Sequence, residues 1–422
     1  HNLSKDSLYY YKECIKKDIP IIFNSDPPLT HDFKDLVIDS ILGIGFKGEL
    51  NESLKKWTSW VNRFSTIISC DIATGICSNS GTVSQEAVKA NYTVAMGYPK
   101  IGSSIEPGKS HSGVITSADI GFPKKIDKLS GQRWNVIADD LIKDILKPLN
   151  KDTHKYKQGK VLVLAGSEGM TGAAYLATMG ALRSGCGLTK TFAPKSLNNI
   201  FERKITEGMT VSCEDSGSGF FTNKNYSQIM DHVDWADVIL IGPGLGRNVE
   251  TVKLLRNLYA AIKKPMVIDA DGFSPFYQDI SLVKHLKNEY VFTPHLGELG
   301  SLFNVSTEEL KVNIIDYIEK ITTDTSGVLV AKGASTLISD GYNGYINSTG
   351  NSGLATAGTG DVLSGVIASF VSQGYNLLDS SLISAYIHGY AAEKKSKKIS
   401  QRGLIASDLL IEIGKKLSDY EL

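Results

Sequence analysis

The stretch GLATAGTGDVLSGVIASFVSQG, residues 353–374, joins a glycine-rich turn to an apolar segment. After Asp361 the apolar residues recur at the spacing of one buried helix face. They are Val362, Leu363, Val366, Ile367, Phe370 and Val371. Gly358, Thr359 and Gly360 then form the turn into the helix, where unpaired backbone N–H groups and the helix dipole attract anions. The sequence therefore predicts a helix that starts at Asp361, with an anion site at its N-terminus.

Asp361 itself has two interpretations. Aspartate is a common N-cap, because its carboxylate accepts hydrogen bonds from the first turn of a helix. A carboxylate beside an anion hole is also what phosphoryl transfer needs, since it supplies a base for the attacking hydroxyl beside donors for the moving phosphate. The turn alone does not decide between the two, so the other motifs of the chain have to.

The composition is typical of a globular protein with more than one domain. A chain of 422 residues predicts two or three domains. Its 45 basic and 45 acidic residues cancel, so we expect neither nucleic acid nor an anionic membrane as a partner. No apolar run approaches the roughly 18 residues of a membrane-spanning helix. The five cysteines are odd in number and lack a C-x-x-C spacing, which predicts free thiols and a cytoplasmic protein.

Two series of short β runs alternate with helical stretches. The first series is IPIIF, DLVIDSILGIG, STIISCDIATG, NYTVAMG and GVITSADIG. The second series is GKVLVLAGS, ADVILIGPGLG, KPMVIDADG, YVFTPHLGE and GVLVAKGAS, followed by the hairpin STLISDGYNGYIN. Runs that end in Gly, Asp or Pro are typical of parallel strands at their carboxyl edge, where α/β sheets bind ligands. The sequence predicts two α/β domains, residues 1–125 and 134–422, joined by a linker at 126–133.

Four loops of the second series accompany the turn at residues 358–361. They are AGSEGMTGAAYLA at 165–177, IGPGLGR at 241–247, TPHLGE at 293–298 and KGAST at 332–336. Taken singly, each of the first two loops is as compatible with a structural role as with a binding role. His295, in a strand-end loop between Pro294 and Gly297, favours a place in the cleft, and the alternative for residues 332–336 is a surface turn. In order and spacing, however, these motifs together resemble the ribokinase-like NAD(P)H-hydrate dehydratases, from about residue 154 to the C-terminus. Those enzymes restore hydrated NADH or NADPH with a nucleoside phosphate.

The resemblance implies a ribokinase-like α/β fold and a set of site residues. Asp361 would be the base near the C6 hydroxyl of the hydrate, which is phosphorylated before phosphate leaves. The implied nucleotide contacts are Lys332, Gly333, Ala334, Ser335, Thr336, Gly358, Thr359 and Gly360. The implied hydrate contacts are Ala173, Gly246, His295 and Asp361. Mg²⁺ and ADP are the expected cofactor and phosphoryl donor, although the residues do not separate ADP from ATP.

One loop departs from that family. DADGFS, residues 269–274, stands where the family more often has D-A-D-A-L-N. Both aspartates are kept, but Gly272 and Ser274 differ. The sequence therefore leaves open whether this loop takes a direct part in the site.

Three stretches of the first series resemble the second half of NAD(P)H-hydrate epimerases, which interconvert the R and S hydrates. They are DSILGIGFKGEL at 39–50, DIATG at 71–75 and residues 99–123. The resemblance implies a Rossmann-like sheet with Asp71 as acid/base, and Asp39 and Thr74 as ligands of K⁺. It also implies a substrate loop of Gly43, Ile44, Gly45, Phe46, Lys47, Gly48 and Glu49.

The first series also departs from its family. Ala73 and Thr74 replace Pro and Ser of the D-I-P-S-G motif, although Thr74 keeps a hydroxyl oxygen. The Asn-Asn-Gly-Gly-Asp-Gly phosphate loop of the family does not occur in these 422 residues. We therefore expect these residues to consume the R hydrate little faster than it epimerises spontaneously.

The main alternative is a ribokinase-like kinase of a vitamin or sugar with an N-terminal ligand-binding domain. Such a kinase would share residues 358–361 but leave a stable phosphorylated product. In either case the expected partners are small-molecule substrates and further copies of the same chain, as a homo-oligomer.

Overall fold

The computed structural model describes residues 5–23, 26–28, 32–123, 133–277, 279–286, 288–323 and 325–421. The chain divides into two compact units. The first comprises His1–Ser103 and Pro107–Phe122, and the second comprises Ser104–Glu106 and Pro123–Leu422. Most of the predicted linker lies outside the described residues, and its last residue, Arg133, begins a strand.

The first unit contains a parallel sheet of four strands in the order β1-β2-β3-β4. Its strands are β1 (Leu36–Asp39), β2 (Thr66–Cys70), β3 (Tyr92–Met96) and β4 (Val114–Ala118). Its helices are α1 (Lys5–Lys16), α2 (Glu52–Val61), α3 (Ile101–Ser104) and α4 (Gly108–Ser112). Four predicted strands are confirmed, but the strand predicted at IPIIF is wrong. Pro20 cannot donate to a sheet ladder, and Ile22 and Phe23 stay exposed.

The second unit contains a sheet of ten strands in the order β5-β14-β13-β12-β11-β10-β9-β6-β7-β8. They are β5 (Arg133–Ile137), β6 (Lys160–Leu164), β7 (Leu188–Pro194), β8 (Met209–Cys213), β9 (Val238–Ile241), β10 (Met266–Ile268), β11 (Tyr290–Phe292), β12 (Gly327–Ala331), β13 (Leu337–Ser339) and β14 (Asn343–Asn347). Only β13 among these runs antiparallel to its neighbours, as the predicted hairpin requires. The sequence missed β5, β7 and β8, of which β5 and β8 are edge strands.

Helices cover the sheet of the second unit. The α-helices are α5 (Asp139–Ile145), α6 (Thr171–Arg183), α7 (Asn198–Lys204), α8 (Tyr226–Val233), α9 (Val249–Ala261), α10 (Leu296–Phe303), α11 (Thr307–Val312), α12 (Ile314–Thr322), α13 (Thr359–Ser372), α14 (Leu377–Ile399) and α15 (Ala406–Leu417). Short 3₁₀ helices lie at Lys195–Leu197, Asn223–Asn225, Ala270–Phe276, Ile280–His285, Ser352–Leu354 and Ser418–Tyr420. In the part of the chain that the structure describes, none of the helices is both long and apolar enough to cross a bilayer.

Helix α13 is the central helix of this core and packs closely on α6. The apolar stripe predicted behind Asp361 is buried, apart from half-buried Val371. A Cβ on Gly365 would stand 2.0 Å from the carbonyl oxygen of Ala177, and one on Gly180 would stand 2.5 Å from that of Val362. Both glycines are therefore needed for the two helix backbones to approach, and this contact fixes where α13 begins.

A buried lysine connects the C-terminal helix to the rest of the second unit. The Lys416 ammonium lies 2.9 Å from Asp139 Oδ1 and 4.4 Å and 4.7 Å from the ring centroids of Tyr390 and Tyr420. The Tyr420 hydroxyl donates to the same Asp139 oxygen. One cation thus holds α15 against α14 and α5.

We expect Lys416→Met to lower the free energy of unfolding by about 2 kcal/mol, since it removes a charged hydrogen bond and cation–π contacts together. Lys195→Met is the control, because both Lys195 and its partner Glu214 are exposed and such a surface pair contributes little to stability. Urea denaturation followed by circular dichroism measures both variants. If both substitutions lowered the free energy of unfolding equally, the buried Lys416 cluster would contribute no more to stability than a surface ion pair.

Candidate functional site

The candidate site of the second unit lies at the carboxyl edge of β10, β11 and β12. These strands are parallel neighbours, so the residues that follow them meet at one edge. Asp269 follows β10, His295 comes shortly after β11, and Lys332 follows β12. The N-terminus of α13 brings Asp361 to the same edge.

The turn before α13 forms the predicted helix N-terminus, but the helix starts at Thr359, two residues before Asp361. Its N-cap is Gly358, in the left-handed region at φ 89°. A Cβ there would also stand 2.5 Å from Leu176 Cδ1, so only glycine fits. The N-cap interpretation of Asp361 is therefore wrong. Among the described residues none donates a hydrogen bond to its carboxylate, which leaves that carboxylate available to a ligand.

A buried histidine fixes the first turn of α13. His388 of α14 lies 2.9 Å from the carbonyl oxygen of Thr359 through Nε2. Burial lowers the pKa of His388 to about 4, so the ring is neutral and its Nε2–H donates to that carbonyl. The Thr359 hydroxyl donates to the carbonyl of Leu354 at 2.9 Å. The turn is thus held from both sides.

Lys332 forms an ion pair beneath this turn. Its Nζ lies 2.7 Å from Asp269 Oδ1 and 3.1 Å from where a Cβ on Gly360 would stand. Asp269 is fully buried, and within the described residues its Oδ2 has no hydrogen-bond partner. Burial lowers the pKa of Lys332, but the charges of Asp269 and Glu298 outweigh burial and raise it above the ordinary value. The amine is therefore a fixed cation at the anion site.

Glu298 and His295 cap α10 reciprocally. The backbone N–H of His295 donates to Glu298 Oε2 at 2.8 Å, and that of Glu298 donates to His295 Nδ1 at 3.1 Å. Burial raises the pKa of Glu298 to about 7. Burial also lowers the pKa of His295, whose side chain is 60% exposed. His295, whose Nδ1 accepts from the backbone, thus presents a largely exposed imidazole at the edge of the site.

The loops that carry Ala173 and Gly246 also meet here. A Cβ on Gly244 would stand 2.8 Å from that of Ala173, and one on Gly246 would stand 3.6 Å from Ser167 Oγ. The Gly246 N–H donates to Asp271 Oδ2 at 2.9 Å. Both aspartates of DADGFS are therefore engaged, Asp269 with Lys332 and Asp271 with the Gly246 loop.

The structure thus brings together most of the site residues that the sequence predicts. Lys332, Gly360 and Asp361 lie in one cluster, and His295 stands beside it, whereas Gly333 and Ala334 are exposed in the loop after Lys332. Sequence reasoning missed Glu298 and left the part played by the Asp269 loop open, and both residues belong to the cluster. The signal was present, since both are acidic residues of strand-end motifs.

The charges of the cluster act on Asp361. Burial, and then the negative charge of Asp269, raise its pKa to about 7, while Lys332 lowers it and Asp271 and Glu298 raise it further. A carboxylate with a pKa near neutrality can take a proton from a hydroxyl more readily than an ordinary aspartate. The arrangement suits a general base beside a phosphate site.

The expected Mg²⁺ has no preformed cage here. Carboxylates are its preferred protein ligands, but Asp269, Asp271 and Glu298 already accept from protein donors. Within the described residues no group of three or more His, Cys, Asp or Glu side chains could hold a metal ion. A magnesium ion that enters with nucleotide phosphates needs no such cage.

In the first unit, Asp71 follows β2 with a left-handed backbone at φ 69°. Its Oδ1 accepts from the Met96 N–H at 2.9 Å and pairs with the Lys100 ammonium. Lys100 also donates to the carbonyl of Tyr98 at 3.2 Å. The carboxylate predicted as acid/base is therefore held by donors from β3 and the segment after it.

Asp39 and Thr74, the expected K⁺ ligands, meet at the carboxyl edge of the first sheet. The Thr74 hydroxyl donates to Asp39 Oδ1 at 2.7 Å, and the Ser69 hydroxyl donates to Oδ2 at 2.8 Å. These oxygens are the ligand type that hard cations take. The donor set fits a potassium ion in kind, with the carboxylate of Asp39 as its charged member.

The predicted substrate loop lines a cavity of about 470 Å³. The cavity is lined by Leu42, Gly43, Ile44, Gly45, Phe46, Lys47, Glu49, Leu50, Asn51 and Leu54. The Glu49 carboxylate accepts from the Ser84 hydroxyl at 2.7 Å and the Gln85 N–H at 3.2 Å, which lower its pKa. Glu49 therefore anchors the loop beside the cavity.

Comparisons with known proteins identify the family of the chain. The family model of NAD(P)H-hydrate dehydratases matches residues 161–415, and that of the YjeF-related protein N-terminus matches residues 1–102. The bifunctional NAD(P)H-hydrate repair enzyme of Moorella thermoacetica is 33% identical over 90% of this chain and 72% of its own length. The chain belongs to this family.

Two further relatives support the assignment. The enzyme of the same name from Dictyoglomus turgidum is 32% identical over 89% of this chain and 74% of its own. The solved ADP/ATP-dependent NAD(P)H-hydrate dehydratase from Bacillus subtilis, co-crystallized with ATP and Mg²⁺, is 25% identical with a TM-score of 0.59. That match covers 68% of this chain and 98% of the other. The two-domain α/β architecture with a ribokinase-like second domain is confirmed.

We expect activity to fall on the acidic side of neutrality. Asp361 acts as a base only when ionised, so kcat/KM should drop roughly tenfold per unit below pH about 7. In Glu298→Gln the same acidic fall in kcat/KM should persist but occur at lower pH, because the substitution removes a negative charge that raises the pKa of Asp361. The pH profiles of both proteins provide the measurement. If kcat/KM of Glu298→Gln no longer fell on the acidic side, the fall would be due to titration of Glu298 and not of Asp361.

Proposed function

We propose that this chain repairs nicotinamide nucleotides, dehydrating the S hydrate of NADH or NADPH in its second unit and epimerising the hydrate in its first. The observation that supports it best is the carboxylate of Asp361, which accepts no hydrogen bond from the described residues. It stands beside the N–H groups of the turn at Gly358 and above the ammonium of Lys332.

In the dehydration, Asp361 takes the proton of the C6 hydroxyl as its oxygen attacks the terminal phosphoryl group of the nucleotide. The turn amides and Lys332 stabilise negative charge on that group. The electron pair of the ring nitrogen then expels phosphate from C6, and loss of the proton at C5 restores the double bond. Hydroxide leaves poorly and phosphate leaves well, so the nucleotide supplies a leaving group. Mg²⁺ offsets charge on the phosphates when bound.

ADP is the proposed phosphoryl donor, and ATP is the alternative donor to be assayed in parallel. The Bacillus subtilis relative is named as ADP/ATP-dependent, which supports nucleotide use without separating the two. The proposed nucleotide contacts remain the loop at 332–336 and the turn at 358–360. Ala173, Gly246 and His295 are the proposed contacts of the hydrate.

For the epimerisation we propose Asp71 as the group that moves a proton at the C6 hydroxyl. The 470 Å³ cavity beside the loop at 43–49 is the proposed place for the hydrate. K⁺ bound at Asp39 and Thr74 would supply a positive charge at this edge. Homo-oligomeric assembly and a cytoplasmic location also remain predictions, the latter in line with five free cysteines.

We expect Asp361→Asn to fold and bind nucleotide but to dehydrate the hydrate ~10²–10⁴-fold more slowly, the usual contribution of a general base. Asp379→Asn is the matched control, because Asp379 is likewise the third residue of its helix, α14. Recovery of reduced-nicotinamide absorbance measures both. Turnover near the unsubstituted rate in Asp361→Asn would remove the base from the mechanism.

The stoichiometry separates a dehydratase from a small-molecule kinase. With the hydrate present, each nucleotide consumed should yield one reduced cofactor and one free phosphate, and no phosphoester should accumulate. Nucleotide consumption that requires a vitamin or sugar alcohol, with a stable phosphoester as product, would establish the kinase instead.

The cavity beside the loop at 43–49 and the paired Asp39 and Thr74 favour an active epimerase over the slow consumption of the R hydrate expected from the sequence. Asp71→Asn is therefore expected to slow consumption of the R hydrate to the rate of spontaneous epimerisation. Asparagine tolerates the left-handed backbone at this position, so the substitution tests the carboxylate and not the fold. Asp119→Asn is the control, since Asp119 directly follows the neighbouring strand β4. The slow phase of an R/S mixture is measured in all three proteins. Equal slow phases in the unsubstituted protein and Asp71→Asn would exclude epimerisation through Asp71.

A further inference from the structure

The backbone of Asp269 is held tightly at the second site. The residue is fully buried, its N–H donates to the carbonyl of Ile241, and its own carbonyl accepts from the N–H of Gly272. A Cβ on Gly242 would stand 1.7 Å from that carbonyl, so the neighbouring loop also closes on it. The backbone of Asp269 is thus fixed between β9 and β10, and its carboxylate has one charged partner among the described residues, Lys332.

Lys332 is held in an electrostatically unusual place. Its ammonium lies 3.1 Å from the Cβ position of Gly360, in the first turn of α13, where the helix dipole is positive. A cation is disfavoured there unless a negative group compensates it. Asp269 supplies one negative charge, and it has a second oxygen without a described partner. The free side of the ammonium faces the turn, where the N–H groups also need an anion.

We propose that Asp269 is the positioning residue that holds the Lys332 ammonium against the transferring phosphoryl group. The inference deepens the proposed function and rests on it. It makes Asp269 part of the machinery, although the loop DADGFS departs from the family pattern.

A merely structural ion pair would not need this location. Buried pairs can often be replaced by apolar side chains of similar size without loss of stability. Here the pair joins β10 and β12 across β11, and its cation emerges under the turn that carries Asp361. The ion pair therefore fixes the position of the phosphate-binding ammonium relative to the carboxylate of Asp361.

A double-mutant cycle tests the proposal. Asp269→Asn is expected to lower kcat ~10²-fold, the effect of a misplacement of about 1 Å, with the KM for nucleotide changed less than about threefold. In the Lys332→Met background the same substitution should have no further effect, because it acts through the lysine. Asp237→Asn is the control, since Asp237 caps the opposite end of the sheet at Lys160. Equal kcat losses from Asp269→Asn in both backgrounds, or no loss at all, would overturn the proposal.

A binding measurement keeps the inference separate from the proposed function. Aluminium fluoride with AMP or ADP imitates a transferring phosphoryl group and requires no hydrate. Asp269→Asn and Lys332→Met should each weaken this complex at least tenfold more than they weaken binding of the nucleotide alone. Melting temperatures show that the variants fold. If the unsubstituted protein forms the complex but never restores the reduced cofactor, the proposed function fails while the role of Lys332 stands. Unchanged affinities in the variants would overturn that role.

Discussion

The close contact of α13 with α6 is the constraint on which the second site depends. At Gly180 and Gly365 the two helix backbones approach to distances that a side chain would forbid. This contact places the start of α13 over the carboxyl edge of the sheet, and the left-handed Gly358 turns the chain into the helix without a side chain in the way. The amides of the first turn are therefore fixed before any ligand arrives, so binding an anion there orders little of the protein.

That fixed frame concentrates charge in a buried place. The carboxylates of Asp269, Asp271, Glu298 and Asp361 lie around the Lys332 ammonium, and burial raises the pKa of both Asp361 and Glu298 to about 7. Such an arrangement costs folding free energy, because ionised carboxylates are taken out of water. It is useful for catalysis, because a base with a pKa near the working pH combines adequate ionisation with proton affinity. Perturbed groups of this kind concentrate at functional sites.

Much of this was predictable from the sequence, because strand ends and glycine turns are local signals. The central strands and the buried stripe of α13 were found in this way. The ion pair of Lys332 with Asp269 was not, since the partners are 63 residues apart and meet only because β10, β11 and β12 are adjacent. The N-cap was misplaced because Asp and Gly both suit that position, and only the backbone angle of Gly358 decides. The strand predicted at IPIIF is wrong because a run of apolar residues forms a strand only where a neighbouring strand can pair with its backbone.

The two units treat their carboxylates in opposite ways. Asp39 and Asp71 each accept hydrogen bonds from neighbouring side chains and backbone N–H groups, whereas Asp361 accepts none from the described residues. A carboxylate that already accepts hydrogen bonds must give up some of them to take a proton. A carboxylate that accepts none loses no hydrogen bond when it takes a proton. Asp361 is therefore ready to act on a hydroxyl as soon as one arrives. In the first unit, by contrast, the Met96 N–H and the Lys100 ammonium both lie on Asp71 Oδ1, so the proton transfer proposed for Asp71 would use Oδ2 or require Lys100 to shift. If the proposed roles hold, the second unit presents its base without competing donors, while the first unit holds its acid/base through a salt bridge to one carboxylate oxygen.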